Sequence, residues 1–120
     1  MANPVVHFEI CGQDALKAQK FYADLFGWQI QNIPEMNYGL VNQENTGGGI
    51  GGGISKAEGA PHYVTIYIQV DDLQKYLDKA EKLGGRTIVP PTTVPGMVTF
   101  AMFSDLDGNM VGLVDAKRPE

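Results

Sequence analysis

Cysteine is nearly missing from this chain: Cys11 is the only one in 120 residues. A lone cysteine forms no internal disulfide and cannot build a Cys-rich zinc module. It also has no basic neighbour in sequence to lower its pKa, which argues against a reactive thiolate. Positive charge is scarce too. Nine Lys and Arg stand against fourteen Asp and Glu, a net charge of −5. Phosphate contact needs a basic face, so nucleic acid is disfavoured as a partner, while a cationic ligand is allowed. No run reaches the ~18 apolar residues of a membrane span. Met1-Ala2-Asn3-Pro4 has neither the basic nor the apolar region of a secretory signal. These absences together lead us to expect a cytoplasmic protein without membrane contact.

Glycine, by contrast, is abundant, with fifteen residues in 120, above the usual ~7%. Strands rich in glycine are strands that something approaches closely. At 43% hydrophobic, the chain has the composition of one ordered globular domain.

Val5 to Cys11 alternates with period two and reads as a strand, Val6, Phe8 and Ile10 on one face. Asp14 is an N-cap candidate. Ala15, Ala18, Phe21, Tyr22, Leu25 and Phe26 then recur at helical spacing, and Gly27 suits the helix end. Trp28 to Ile33 and Asn37 to Asn42 read as short strands, Gly47 to Ile54 as an apolar strand stripped of side chains, and Ser55 to Pro61 as a loop. The second half starts the same way. Val64, Ile66, Ile68 and Val70 alternate with Tyr63, Thr65, Tyr67 and Gln69. Asp72 caps a stripe of Leu73, Tyr76, Leu77, Ala80 and Leu83. Arg86 to Val89 is a strand closed by Pro90-Pro91, Met97 to Phe103 another, and Asn109 to Val114 the last.

The order strand, helix, three strands therefore occurs twice, and an internal repeat governs the fold. At offset 58, Phe8 meets Ile66, Ile10 meets Ile68, Asp14 meets Asp72 and Gly27 meets Gly85. At offset 60, Ile50 meets Met110, Gly52 meets Gly112 and Ile54 meets Val114. The reading is an α+β fold of two tandem βαβββ modules. Each helix covers the even face of its first strand. The sheets form a cup-shaped mixed sheet, helices outside, lined by the odd positions.

Those odd positions hold the candidate chemistry. His7 is mid-strand and could act as a base or ligand. Glu9 shares its face and could orient the ring or take a proton. Thr65 and Tyr67 are hydrogen-bond donors on the mate strand. His62 reads as exposed. The run Gly47 to Gly53 contains a formal G-x-G-x-x-G but has no helix after it to hold a pyrophosphate. Asp105 to Asn109 resembles a calcium loop with the glycine misplaced and no closing glutamate, and reads as a turn.

The repeat, His7, the run Phe21-Tyr22…Leu25-Phe26-Gly27-Trp28, and the ending Asp105-Leu106-Asp107-Gly108-Asn109-Met110-Val111-Gly112-Leu113 resemble the vicinal oxygen chelate superfamily. It contains glyoxalases, bleomycin-resistance proteins and extradiol dioxygenases, and the likeness is to its glyoxalase/bleomycin-resistance-like branch. The resemblance implies one domain over residues 4–115, with modules 4–55 and 62–115, often completed in a homodimer. Metal-dependent members use four ligands, mostly His and Glu. Carried over, these fall on His7, Gly52, Thr65 and Gly112. Two of the four have no side chain, so the expected metal set is none and no cofactor is expected. The leading expectation is a small-molecule binder whose cup is lined by His7, Glu9, Gly52, Thr65, Tyr67 and Gly112, with aromatics such as Tyr63 and Trp28 nearby. The alternatives are a metal-independent lyase or isomerase in which His7 or Glu9 moves a proton, and a metal enzyme with a different ligand set.

Overall fold

The computed structural model describes residues 2–57 and 61–117. Residues 58–60, in the expected loop between the halves, lie outside the described residues. The fold is α+β, and the element order is βαβββ twice. The first set is β1 (Val5–Gly12), α1 (Ala15–Phe26), β2 (Ile30–Ile33), β3 (Tyr38–Val41) and β4 (Gly51–Lys56). The second is β5 (Tyr63–Val70), α2 (Leu73–Lys82), β6 (Arg86–Val94), β7 (Val98–Ser104) and β8 (Met110–Asp115). The chain divides into two compact units, Val6–Thr65 and Ile66–Glu120 with Met1–Val5, so the division falls inside β5.

In the N-terminal unit the strands run in the order β2-β3-β4-β1. β1 pairs with β4 in parallel, and the other pairs are antiparallel. The Asp14 carboxylate caps α1 by accepting from the Lys17 backbone N–H at 3.1 Å. Gly27 ends it in the left-handed region at φ 75°. The expected buried stripe of α1 needs correcting. Ala15 and Gln19 are buried, whereas Phe21, Leu25 and Phe26 are exposed. Small residues let the helix approach the sheet: a Cβ at Gly39 would run into Gln19, which donates to the Ile54 carbonyl at 3.5 Å. The aromatics gather at the helix end instead. Trp28 lies 5.2 Å from Phe26, 5.9 Å from Tyr22 and 5.5 Å from Phe8, centroid to centroid.

In the C-terminal unit the order is β5-β8-β7-β6, with β5 parallel to β8 and the rest antiparallel. Asp72 caps α2 through the Lys75 N–H at 3.1 Å. Leu73 and Leu77 of α2 form a core with Val70, Ala101 and Leu113, against which Ile68 and Phe103 pack. The even residues Ile68 and Val70 thus face α2, as the alternation predicts. Val64 and Ile66, expected under a helix as well, are exposed; the core beneath α2 reaches back along β5 only to Ile68. β6 does not stop at Pro90-Pro91. It continues to Val94, with register shifts between Thr87 and Val89 and between Val89 and Thr92. It is the edge strand of its unit, where a residue without an N–H is tolerated beside a bulge.

Candidate functional site

The parity of β1 puts His7, Glu9 and Cys11 on the face turned away from α1. The parallel register sets them opposite Gly51, Gly53 and Ser55 of β4. β3 then brings Tyr38 to Ser55. Gly53 has no side chain, and the Tyr38 phenol lies over it; a Cβ there would run into the hydroxyl. From that position the phenol bridges two side chains of β1. It donates to Glu9 Oε2 at 3.1 Å and lies 2.7 Å from His7 Nε2. A phenol has one proton, so while Tyr38 donates to Glu9 it accepts from a protonated His7 Nε2. The other carboxylate oxygen, Oε1, accepts from Cys11 Sγ at 3.6 Å, and that thiol lies 3.3 Å from Ser55 Oγ. His7, Tyr38, Glu9, Cys11 and Ser55 are thus one connected polar network on a helix-free sheet face.

Burial sets the electrostatics. It lowers the His7 pKa and favours the neutral ring. It raises the Cys11 thiol, with hydrogen bonds from Ser55 and Tyr63 only partly opposing it. Tyr63 is raised as well, by burial first and then by Cys11 and Glu9. At neutral pH the thiol and the Tyr63 phenol keep their protons as donors. Glu9 is the acceptor toward which Tyr38 and Cys11 donate.

Gly52 belongs elsewhere. It pairs with Phe8, and a Cβ there would meet the Phe8 ring, on the α1 side. The repeat makes the reason plain. Glu9 pairs with Gly53 as Tyr67 pairs with Gly112, so the counterpart of Gly112 is Gly53. A slip of one residue in the offset moves a strand residue to the opposite face. The space expected beside the two glycines is also filled. Phe8 covers Gly52, and in the C-terminal unit the buried ring of Tyr67 covers Gly112, with Phe100 edge-on at 6.4 Å. Thr65, 4% exposed, belongs to the N-terminal unit, whereas Tyr67 and Gly112 belong to the C-terminal one. His62 is exposed, as expected.

These donors do not fit a transition metal. On this face the imidazole and the carboxylate are spanned by a phenol that engages both. Among the described residues no group of three or more His, Cys, Asp or Glu side chains comes together to hold an ion. The sequence reading missed Tyr38, Ser55 and the part played by Cys11. The glycine run was the available signal: the backbone of Val41, Asn42 and Gln43 approaches it at Gly51, and the side chains of Phe8 and Tyr38 at Gly52 and Gly53.

The model of the Glyoxalase/Bleomycin resistance protein/Dioxygenase superfamily matches residues 5–113. A glyoxylase-like domain-containing protein of Didymella fabae is 32% identical over 108 residues, covering 84% of each chain. A Mycobacterium bovis protein with a provisional glyoxylase name, CFP32, is 31% identical over 111 residues. That match covers 88% of this chain and 42% of the mycobacterial protein, so this chain spans less than half of that relative. Among solved structures, methylmalonyl-CoA epimerase in complex with methylmalonyl-CoA superposes with a TM-score of 0.65 over 100% of each chain, at 14% identity. At that identity the likeness is one of fold.

Proposed function

We propose that this chain, which belongs to the Glyoxalase/Bleomycin resistance protein/Dioxygenase superfamily, binds a small molecule without a metal on the helix-free face of its N-terminal unit. The observation that carries this reading is the Tyr38 phenol seated over Gly53 between His7 and Glu9. The bridge commits to protein partners the two side chains that a metal would need. It leaves a half-buried polar strip of the kind that fixes a ligand's orientation in small-molecule sites. The net charge of −5 favours a neutral or cationic ligand over an anionic one. The single cysteine, held as a thiol, suits a cytoplasmic setting.

The test is ligand-observed NMR with a panel of aromatic cations and neutral aromatics, run beside elemental analysis. Binding lost in both His7→Ala and Tyr38→Phe, with metal content unchanged, is the expected result. About one Zn²⁺ or Ni²⁺ per chain, lost on His7→Ala, would overturn it.

A second reading, a metal-independent lyase or isomerase, draws on the same bridge. His7 and Glu9 are joined through one hydroxyl, so with the imidazole in its other tautomer, protonated at Nδ1, a proton taken by Glu9 has a path through Tyr38 to Nε2. Incorporation of solvent deuterium at an acidic C–H next to a carbonyl, abolished in Glu9→Gln, would favour this reading. Binding with no exchange would favour the first.

A further inference from the structure

The C-terminal unit contains a cavity of about 400 Å³ between α2 and its sheet. Its floor is apolar, made by Ile68, Val70, Phe103 and Leu113. This is the α2 side of the sheet, opposite to the face of Tyr67 and Gly112. At its mouth stand two leucines that the fold leaves in water, Leu83 at 69% and Leu106 at 77% exposure. Leu106 rises from the Asp105 turn to the last residues of α2, close enough that a Cβ at Gly84 would press on it. Exposed leucines at the rim of an apolar cavity are a surface that an apolar body would cover.

The polar groups at the rim narrow the chemistry. Tyr76 and Lys79 both line the cavity, three residues apart on α2 and so neighbours on one helix face. The Tyr76 hydroxyl accepts from Asn3 Nδ2 at 3.2 Å, which leaves its own proton to give. Lys79 makes no ion pair among the described residues. Asp105 also lines the cavity and remains an anion, its oxygens engaged within its own turn. They accept from the N–H groups of Asp107 and Asn109 at 2.9 Å and from the Asn109 side chain at 3.0 Å. The available rim groups on α2 are therefore two donors, one of them a cation.

We infer that this cavity binds an amphipathic carboxylate, its alkyl chain on the apolar floor and its carboxylate on Tyr76 and Lys79. Such a site is independent of the His7 network. The test is titration of the whole protein with sodium decanoate, followed by amide shifts in NMR, beside decyltrimethylammonium as the opposite charge. We expect saturable one-site binding of decanoate, with shifts clustered at Leu83, Phe103 and Leu106. Lys79→Ala is expected to weaken it about tenfold, the worth of one charge-assisted hydrogen bond. Ala80→Phe should fill the cavity and abolish binding. Should that variant not fold, Lys79→Glu, at an exposed position, must weaken binding further still. His7→Ala must leave decanoate affinity unchanged, which separates this site from the proposed function. Equal binding of the cationic amphiphile, shifts scattered over the surface, or indifference to both Lys79 variants would overturn the inference.

Discussion

His7 is the residue whose charge the fold controls most directly. Burial lowers its pKa below the ordinary 6.5. Between the folded value and 6.5, the unfolded chain binds a proton there that the folded chain refuses. Stability therefore rises with pH across that window and is lost as pH falls through it, the loss being complete below the folded pKa. Urea unfolding from about pH 7.5 down to about pH 5 should show wild type losing more stability than His7→Gln; equal slopes would mean that the imidazole is not desolvated. Gly53 makes a second prediction. A methyl at this position collides with the Tyr38 phenol, and such overpacking costs about 1–3 kcal/mol. In a double-mutant cycle, Tyr38→Ala should relieve most of that cost, whereas additivity would place the phenol elsewhere. His7 and Glu9 were legible in the sequence because strand alternation alone puts them on one face. Tyr38 was not, since it lies 31 residues from His7 and meets it only after β3 has paired with β4.

Helices and their ends are where local chemistry decides the outcome. Asp14 and Asp72 sit one residue before their helices in extended backbone and accept from Lys17 and Lys75, three positions on. A signal confined to four residues survives into the structure whatever packs around it. Replacing either aspartate by alanine should cost about 1 kcal/mol, with the matching serine variant recovering most of it; chemical denaturation measures both. The strands were read less well, because pairing decides them. The extension of β6 through Pro90-Pro91 depends on its edge position and its bulges, and neither has a local signature. The face of Gly52 depends on the loop length before β4, which differs from its counterpart by one residue rather than two. The exposed aromatics of α1 have the same origin: helical spacing marks an apolar stripe, but the close approach at Gly39 selects Ala15 and Gln19 as the contact.

At the scale of the whole molecule, the surface is unfinished in a way that predicts assembly. β2 and β6 end their units' strand orders with one side unpaired by any strand described here. An open edge is a template for pairing. α1 adds a larger incentive, since Phe21 and Leu25, four positions apart on one helix face, are both more than half exposed. Charge would have to blunt such a patch, yet α1 has only Lys17, Lys20 and Asp24 within it. Lys20 and Asp24 neutralise each other at 2.7 Å. The commonest closed solution for a self-complementary patch is a twofold dimer. We expect light scattering at micromolar concentration to give twice the 13.0 kDa chain mass. The paired change Phe21→Glu with Leu25→Glu should return the mass to one chain without loss of helix signal, because both side chains are exposed and make little core. A wild type weighing one chain at that concentration would reject the dimer. A variant that stays dimeric would move the interface from α1 to the strand edges, where charged substitutions at Gln31 and Thr92 are the next to separate the copies.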